Sequence, residues 1–149
     1  MRGRLRIALR GYRPDERGVG SVLGDLETAV MEALWAKPSR TVIEVERVLQ
    51  RRRDVAHTTV LTTLDRLHRK GYLTRIKRGR AFVYSPRFSR EQFERGLVEE
   101  VLGSLLGNLG APALSAFVDL VGEDLATLDR LEAIIREKRR TRREATGDA

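Results

Sequence analysis

A chain of 149 residues, 41% apolar and 34% charged, holds one domain or two small ones of ordinary globular composition. It contains no Cys, which excludes disulfides, thiolate metal sites and Cys nucleophiles, and no apolar run approaches the ~20 residues of a membrane span, so a soluble, cytoplasmic protein with no membrane partner is expected. The net charge of +8 is uneven: residues 1–20 carry +4, 21–86 carry +6 and 87–149 carry −2, which directs the search for a polyanionic partner to the first 86 positions.

Residues 1–22 scatter Arg, Gly and Pro without a sustained period and are expected to form a basic flexible arm. A first helix opens at Gly24 or Asp25, carries Leu26, Val30, Leu34 and Trp35 on one face, and ends at Lys37 and Pro38. Thr41 and Glu44 spell a T-x-x-E capping box, the start of a second helix with Val45, Val48 and Leu49 inside and Arg51, Arg52 and Arg53 at its close. A third helix is predicted from about residue 56 to residue 70, with Asp54 as a candidate cap and Gly71 as its left-handed terminator. At 100° per residue, Val60, Leu61, Leu64 and Leu67 gather on the buried side of this helix, and Thr58, Thr59, Thr62, Arg66 and Arg69 on the other. Strands at 72–76 and 81–85 then flank the turn Lys77-Arg78-Gly79-Arg80. Residues 23–87 therefore read as a winged helix-turn-helix domain, mainly α with a small β-hairpin. A domain of that size buries only roughly 60% of its unfolded surface and gains from a partner subunit.

From residue 88 to residue 140 the pattern is helical with balanced charge. Ser89 and Gln92 form another capping box, Phe93, Leu97, Val98, Val101, Leu102, Leu105 and Leu106 make a broad apolar face, and Gly107, Gly110 and Pro112 break the chain. A short helix carries Leu114, Phe117, Val118 and Val121, and a last one carries Leu125, Leu128, Leu131, Ile134 and Ile135. Three such helices cannot cover this apolar surface for one another. A second copy is the simplest cover, with Leu97, Val101, Leu105, Leu114, Phe117, Val121, Leu128, Leu131 and Ile135 as the expected dimerisation residues. Residues 141–149 read as a charged, frayed tail.

The outer face of the third helix is the sharpest candidate site. A helix in the major groove needs short polar side chains near its start, where it meets base edges, and long basic ones further on, where it meets phosphates. Thr58, Thr59 and Thr62 supply hydroxyls and methyls for the first role, Arg66 and Arg69 cations for the second. Lys77, Arg78 and Arg80 at the hairpin tip suit the backbone or an adjacent minor groove. Asp65 is discordant, because a carboxylate repels phosphate; either it orients Arg66 or Arg69, or it faces away. No catalytic grouping appears. Gly18, Gly20 and Gly24 are spaced one residue too long for a dinucleotide fingerprint and follow no strand, and His57 and His68 lack a third ligand. Neither enzymatic activity, nor a cofactor, nor a metal is expected, and no small-molecule effector is evident.

The runs LGDLETAVMEALW, TVIEVERVL, TTVLTTLDRLHRKGYLTRIKRGRAFVYSP and LSAFVDLV together resemble the penicillinase repressor family of the BlaI/MecI type, over about residues 23–135. The resemblance implies a winged-helix repressor that dimerises through its C-terminal helices and binds double-stranded DNA at palindromic operators with TACA/TGTA half-sites. It places Thr58, Thr59 and Thr62 at the base-reading positions of the recognition helix. Two departures stand out. Members switched by β-lactam sensors are cut at an Asn-Phe bond where this chain has Ala116-Phe117, and the copper-responsive relatives use a C-terminal Cys motif that this chain lacks. The expected function is a transcriptional repressor acting as a homodimer on a promoter operator. The alternative, a winged-helix protein-interaction module without sequence-specific DNA binding, asks for aromatic or Leu anchors on the third helix, where the outer face offers Thr and Arg.

Overall fold

A computed structural model describes residues 4–147, and the chain divides into two units, Met1–Leu102 and Gly103–Ala149. In the first unit, α1 (Asp25–Ala36) begins when the Gly24 carbonyl accepts from the Thr28 amide at 2.8 Å. Asp25 and Glu27 in its first turn complement the positive end of the helix dipole. After Pro38 the chain turns through Ser39 at φ +68° into β1 (Arg40–Thr41). Thr41 then caps α2 (Val42–Gln50) through the box expected of it: its Oγ1 accepts from the Glu44 amide at 3.3 Å, and Glu44 Oε2 accepts from the Thr41 amide at 2.7 Å.

Helix α3 (His57–Arg69) stops at Gly71, whose φ of +82° suits a residue without Cβ. The amides of Gly71 and Tyr72 donate back to the carbonyls of His68 and Leu67, each at 3.0 Å, the paired bonds of a Schellman ending. Strands β2 (Leu73–Arg78) and β3 (Ala81–Pro86) follow, joined by a two-residue turn in which Gly79 takes φ +61° between the paired Arg78 and Ala81. The sheet differs from the predicted two-stranded wing. β1 pairs with the free edge of β3 through Arg40↔Tyr84 and Thr41↔Val83, giving the antiparallel order β1-β3-β2.

The core of this unit joins Val30 and Leu34 of α1, Val45 of α2, Val60, Leu64 and Leu67 of α3, Tyr84 of β3 and Phe93 of α4 (Arg90–Leu109). Phe93 packs edge-to-face with two rings, Trp35 with centroids 5.7 Å apart and Tyr72 at 5.0 Å. Three helices and a three-stranded sheet around one core are the winged-helix arrangement. The buried face of α3 is not quite the one predicted: Leu61 is 42% exposed, while Thr63 is buried in its place. Burial of Thr63 is tolerable because its hydroxyl donates to the Thr59 carbonyl at 2.8 Å. Asp54 does not cap α3. Ala56 holds that position without a side-chain bond, and Glu46 Oε2 lies 2.6 Å from His57 Nδ1 instead.

Over residues 4–22 the expected flexible arm is a folded strap; residues 1–3 lie outside the described residues. Ile7 (3% exposed), Val19, Ser21 and Leu23 are buried, and Leu5 and Leu9 pack against the core. Arg13 donates to the carbonyls of Gly20 at 2.6 Å and Leu23 at 2.9 Å, closing the loop over a 3-10 turn at Gly18–Ser21. Leu5 lies so close to α4 that a Cβ on Gly96 would sit 2.6 Å from Leu5 Cδ2. The physical reason is a period of two: Leu5, Ile7 and Leu9 alternate with Arg4, Arg6, Ala8 and Arg10, so an extended segment has one apolar side to bury.

The last turns of α4 belong to the second unit. The helix passes through Gly107, where a break was predicted, and ends before Gly110 at φ +52°. α5 (Ala111–Val121) carries Pro112 in its first turn, and α6 (Leu125–Thr146) is capped by Asp124, which accepts from the amides of Ala126 at 3.3 Å and Thr127 at 3.2 Å. The expected frayed tail is helical as far as Thr146. Arg140 bridges Glu137 at 2.6 Å and Glu144 at 2.7 Å, pairs at the i,i+3 and i,i+4 spacing that supports a solvated helix, and residues 148 and 149 lie outside the described span. No residue of α5 or α6 is buried. Among the described residues no helix is long and apolar enough to cross a membrane.

Candidate nucleic-acid interface

The core-facing arc of α3 fixes what its other side presents. Val60, Thr63, Leu64 and Leu67 hold the helix down, and Lys70 at its C-terminus pairs with Glu27 of α1 at 2.8 Å. Thr58, Thr59, Thr62, Arg66 and Arg69 are then all exposed, as the 100° period requires. Thr58, Thr59, Thr62 and Arg66 also wall an open groove with the start of α1 at Gly24 to Glu27. The hydroxyl of Thr62 donates to the Thr58 carbonyl at 2.8 Å, which leaves its oxygen to accept from a donor outside the protein. Leu61, assigned to the core by sequence, adds an exposed apolar side chain to the same surface.

At the tip of the hairpin Lys77, Arg78 and Arg80 are exposed, held apart by the tight turn at Gly79. Behind them Ile76 and Phe82 are exposed as well. The first unit thus brings all eight of the predicted polar residues to the surface, five on α3 and three on the wing. It also explains Asp65. Its Oδ2 lies 2.8 Å from Arg69 Nη2 on the next helical turn, and its Oδ1 lies 3.2 Å from Nη1 of Arg75 on β2. The Arg75 guanidinium lies over the Phe82 ring, 4.4 Å from its centroid, and donates to the Tyr84 hydroxyl at 3.4 Å. Tyr84 first, and then Asp65, hold the pKa of Arg75 above its ordinary value. Sequence reasoning passed over Arg75. Its alternation with Leu73 places it on the inner side of β2, yet its pairing with a residue ten positions away has no one-dimensional signature.

In the second unit Leu105, Leu114, Phe117 and Ile135 are exposed, and Val121, Leu128 and Leu131 half-buried. Leu120 (76% exposed) and Leu125 (77%) are exposed as well, outside the predicted set. Two predicted dimerisation residues lie elsewhere. Leu97 is 7% exposed within the first unit's core and Val101 packs against that core, because the early turns of α4 face Phe93's neighbours and not solvent. Among the described residues no group of three His, Cys, Asp or Glu is placed to hold a metal.

A sequence model of the penicillinase repressor family matches residues 23–137. The chain belongs to the penicillinase repressor family. It is 42% identical over 107 residues to the transcriptional regulator BlaI of Mycobacterium tuberculosis strain H37Rv, an alignment that covers 70% of this chain and 77% of that one. It is 34% identical over 71 residues to the penicillinase repressor of Bacillus licheniformis, covering 48% of this chain and 56% of its relative. The solution structure of the DNA-binding domain of the repressor BlaI aligns at 34% identity with 47% of this chain and 85% of its own, with a TM-score of 0.44. The family match begins at Leu23, so the strap formed by the preceding residues lies outside the region shared with this repressor family.

Proposed function

We propose that this member of the penicillinase repressor family is a cytoplasmic transcriptional repressor that binds a palindromic promoter operator as a homodimer. The observation that carries the reading is the presentation, on one unit, of an outward Thr-bearing helix face beside a hairpin with a cationic tip. Thr58, Thr59 and Thr62 read base edges, with the Thr62 oxygen accepting from an adenine or cytosine amino group, and the exposed Leu61 packs on thymine methyls. Arg66 and Arg69 neutralise phosphates alongside the groove, and Lys77, Arg78 and Arg80 do so at the wing. The apolar surface of α4 beyond Leu102, α5 and α6 meets its counterpart in a second copy, through Leu105, Leu114, Phe117, Val121, Leu128, Leu131 and Ile135. Two-fold symmetry then sets the half-sites roughly 34–36 Å apart, one turn of DNA. Repression by occupancy needs neither catalysis nor cofactor.

The test is a gel-shift titration over a range of salt, with a duplex carrying palindromic TACA/TGTA half-sites and a scrambled duplex of the same composition. The operator duplex is expected to bind more tightly at every salt concentration, with log affinity falling against log salt by about 0.9 per phosphate neutralised. Arg80→Ala should weaken both duplexes alike and flatten that slope by roughly one phosphate. Equal affinity for the two duplexes throughout would refute sequence-specific repression and favour a protein-interaction module.

A further inference from the structure

We propose that Asp65 is a positioning residue: by gripping Arg75 it sets the angle between the recognition helix and the wing, so that both engage one duplex at once. The inference rests on the DNA-binding reading above. At 100° per residue Asp65 lies only about 20° from Thr58 around α3, at the wing-side edge of the surface proposed to face the polyanion. A lone carboxylate there repels every phosphate nearby, so its presence calls for a compensating task. The geometry supplies one. Asp65 Oδ1 is 3.2 Å from Arg75 Nη1, and Arg75 is in turn seated on Phe82, 4.4 Å from the ring centroid, and bonded to the Tyr84 hydroxyl at 3.4 Å. One wing side chain is therefore gripped by two others on β3 and tied by its charged end to α3.

The lever arm makes this tie consequential. Arg80 lies about 12 Å beyond Arg75 along the hairpin, since β2 advances ~3.3 Å per residue as far as Arg78 before the turn, so a rotation of about 10° at Arg75 carries the tip through roughly 2 Å, enough to break a hydrogen bond. The turn at Gly71 fixes where β2 begins, and Arg75 governs the direction in which it leaves. The pair also shields Asp65, since two guanidiniums, Arg69 at 2.8 Å and Arg75 at 3.2 Å, outweigh one carboxylate.

A positioning role and a plain surface charge predict opposite signs. Removing a negative charge that merely faces DNA strengthens binding to any duplex; removing the brace weakens binding to the operator. In the full-length chain, Asp65→Asn is expected to lower affinity for the palindromic TACA/TGTA duplex by about tenfold, measured by fluorescence anisotropy, and to weaken the scrambled duplex as well, because the wing contact it loses is to phosphate. Arg80→Ala, costly in the wild-type background, should then cost little in Asp65→Asn, because a misaimed tip has no phosphate to lose. Arg75→Lys, which keeps the charge and loses the planar fork, should behave like Asp65→Asn. Without DNA, amide hydrogen exchange across residues 76–82 should quicken in both variants while the melting temperature of the first unit is held. Tighter binding of Asp65→Asn to both duplexes with the Arg80 effect intact, or unchanged exchange in the wing, would overturn the brace. If the wild-type chain itself shows no operator preference, the repressor reading fails, and the exchange measurement alone decides the brace.

Discussion

The two units treat the same residue types in opposite ways. In Met1–Leu102 Leu, Val and aromatic side chains close into one core, while in α5 and α6 no residue is buried and Leu120 and Leu125 stand almost free. An apolar side chain left in water forgoes about 25 cal/mol for each Å² it might have covered. A contiguous set of them marks a surface completed by something else. The first unit covers its apolar side chains within one chain; the second leaves them exposed.

The most damaging way to break this contrast is a charge on the uncovered surface. Phe117→Glu is expected to reduce the particle in sedimentation equilibrium to the 16.9 kDa of a single chain and, by removing the second reading head, to cut operator affinity about 100-fold or more. A particle that remains a dimer would place the interface elsewhere. Next comes a pair of truncations. Leu64→Ala should cost the first unit about 2–5 kcal/mol in denaturant unfolding, whereas Leu120→Ala should leave that transition within about 0.5 kcal/mol; similar costs would mean that the units share one core. On the reading surface, Thr62→Ala should erode operator preference by about 1–3 kcal/mol without weakening the scrambled duplex. Equal loss on both duplexes would reassign Thr62 to the backbone.

The caps supply the smallest effects. Thr41→Ala should lower the stability of the first unit by about 1 kcal/mol, and Asp124→Ala should appear chiefly as lost helical signal in far-ultraviolet dichroism. The Thr41 amide holds the Glu44 carboxyl below its ordinary value of 4.5. The folded chain therefore binds that proton less readily than the unfolded one, and the contribution of the box is complete above pH 4.5 and is lost as pH falls below it. An acid titration in which Glu44→Ala and the wild-type protein keep a constant stability difference down to pH 3 would contradict this.

What could be read from the chain was whatever neighbours in sequence decide. The boxes at Thr41–Glu44 and Ser89–Gln92 formed as spelled, and so did the endings at Gly71 and Gly79, because each is closed by residues a few positions apart or by one backbone angle. β1 escaped because two residues carry no period, and only the distant edge of β3 makes them a strand. The exchange of Leu61 for Thr63 escaped because both lie at the margins of a helical arc, where the hydroxyl's bond to Thr59 tips the balance. The candidate reading face was legible since a 3.6-residue period sorts it mechanically. Its tie to the wing through Asp65 and Arg75 was not, being a meeting of side chains from different elements.

The strap across α4 bears on how the protein can be cut for study. A fragment chosen by family boundaries starts at Leu23 and discards Ile7, Val19 and the Leu5 side chain that lies against Gly96. Such a piece keeps every residue of the reading head and still lacks part of its interior, so it should melt earlier and bind hydrophobic dyes. Weak DNA binding by that fragment would report a missing lid on the core, not a missing contact to the operator.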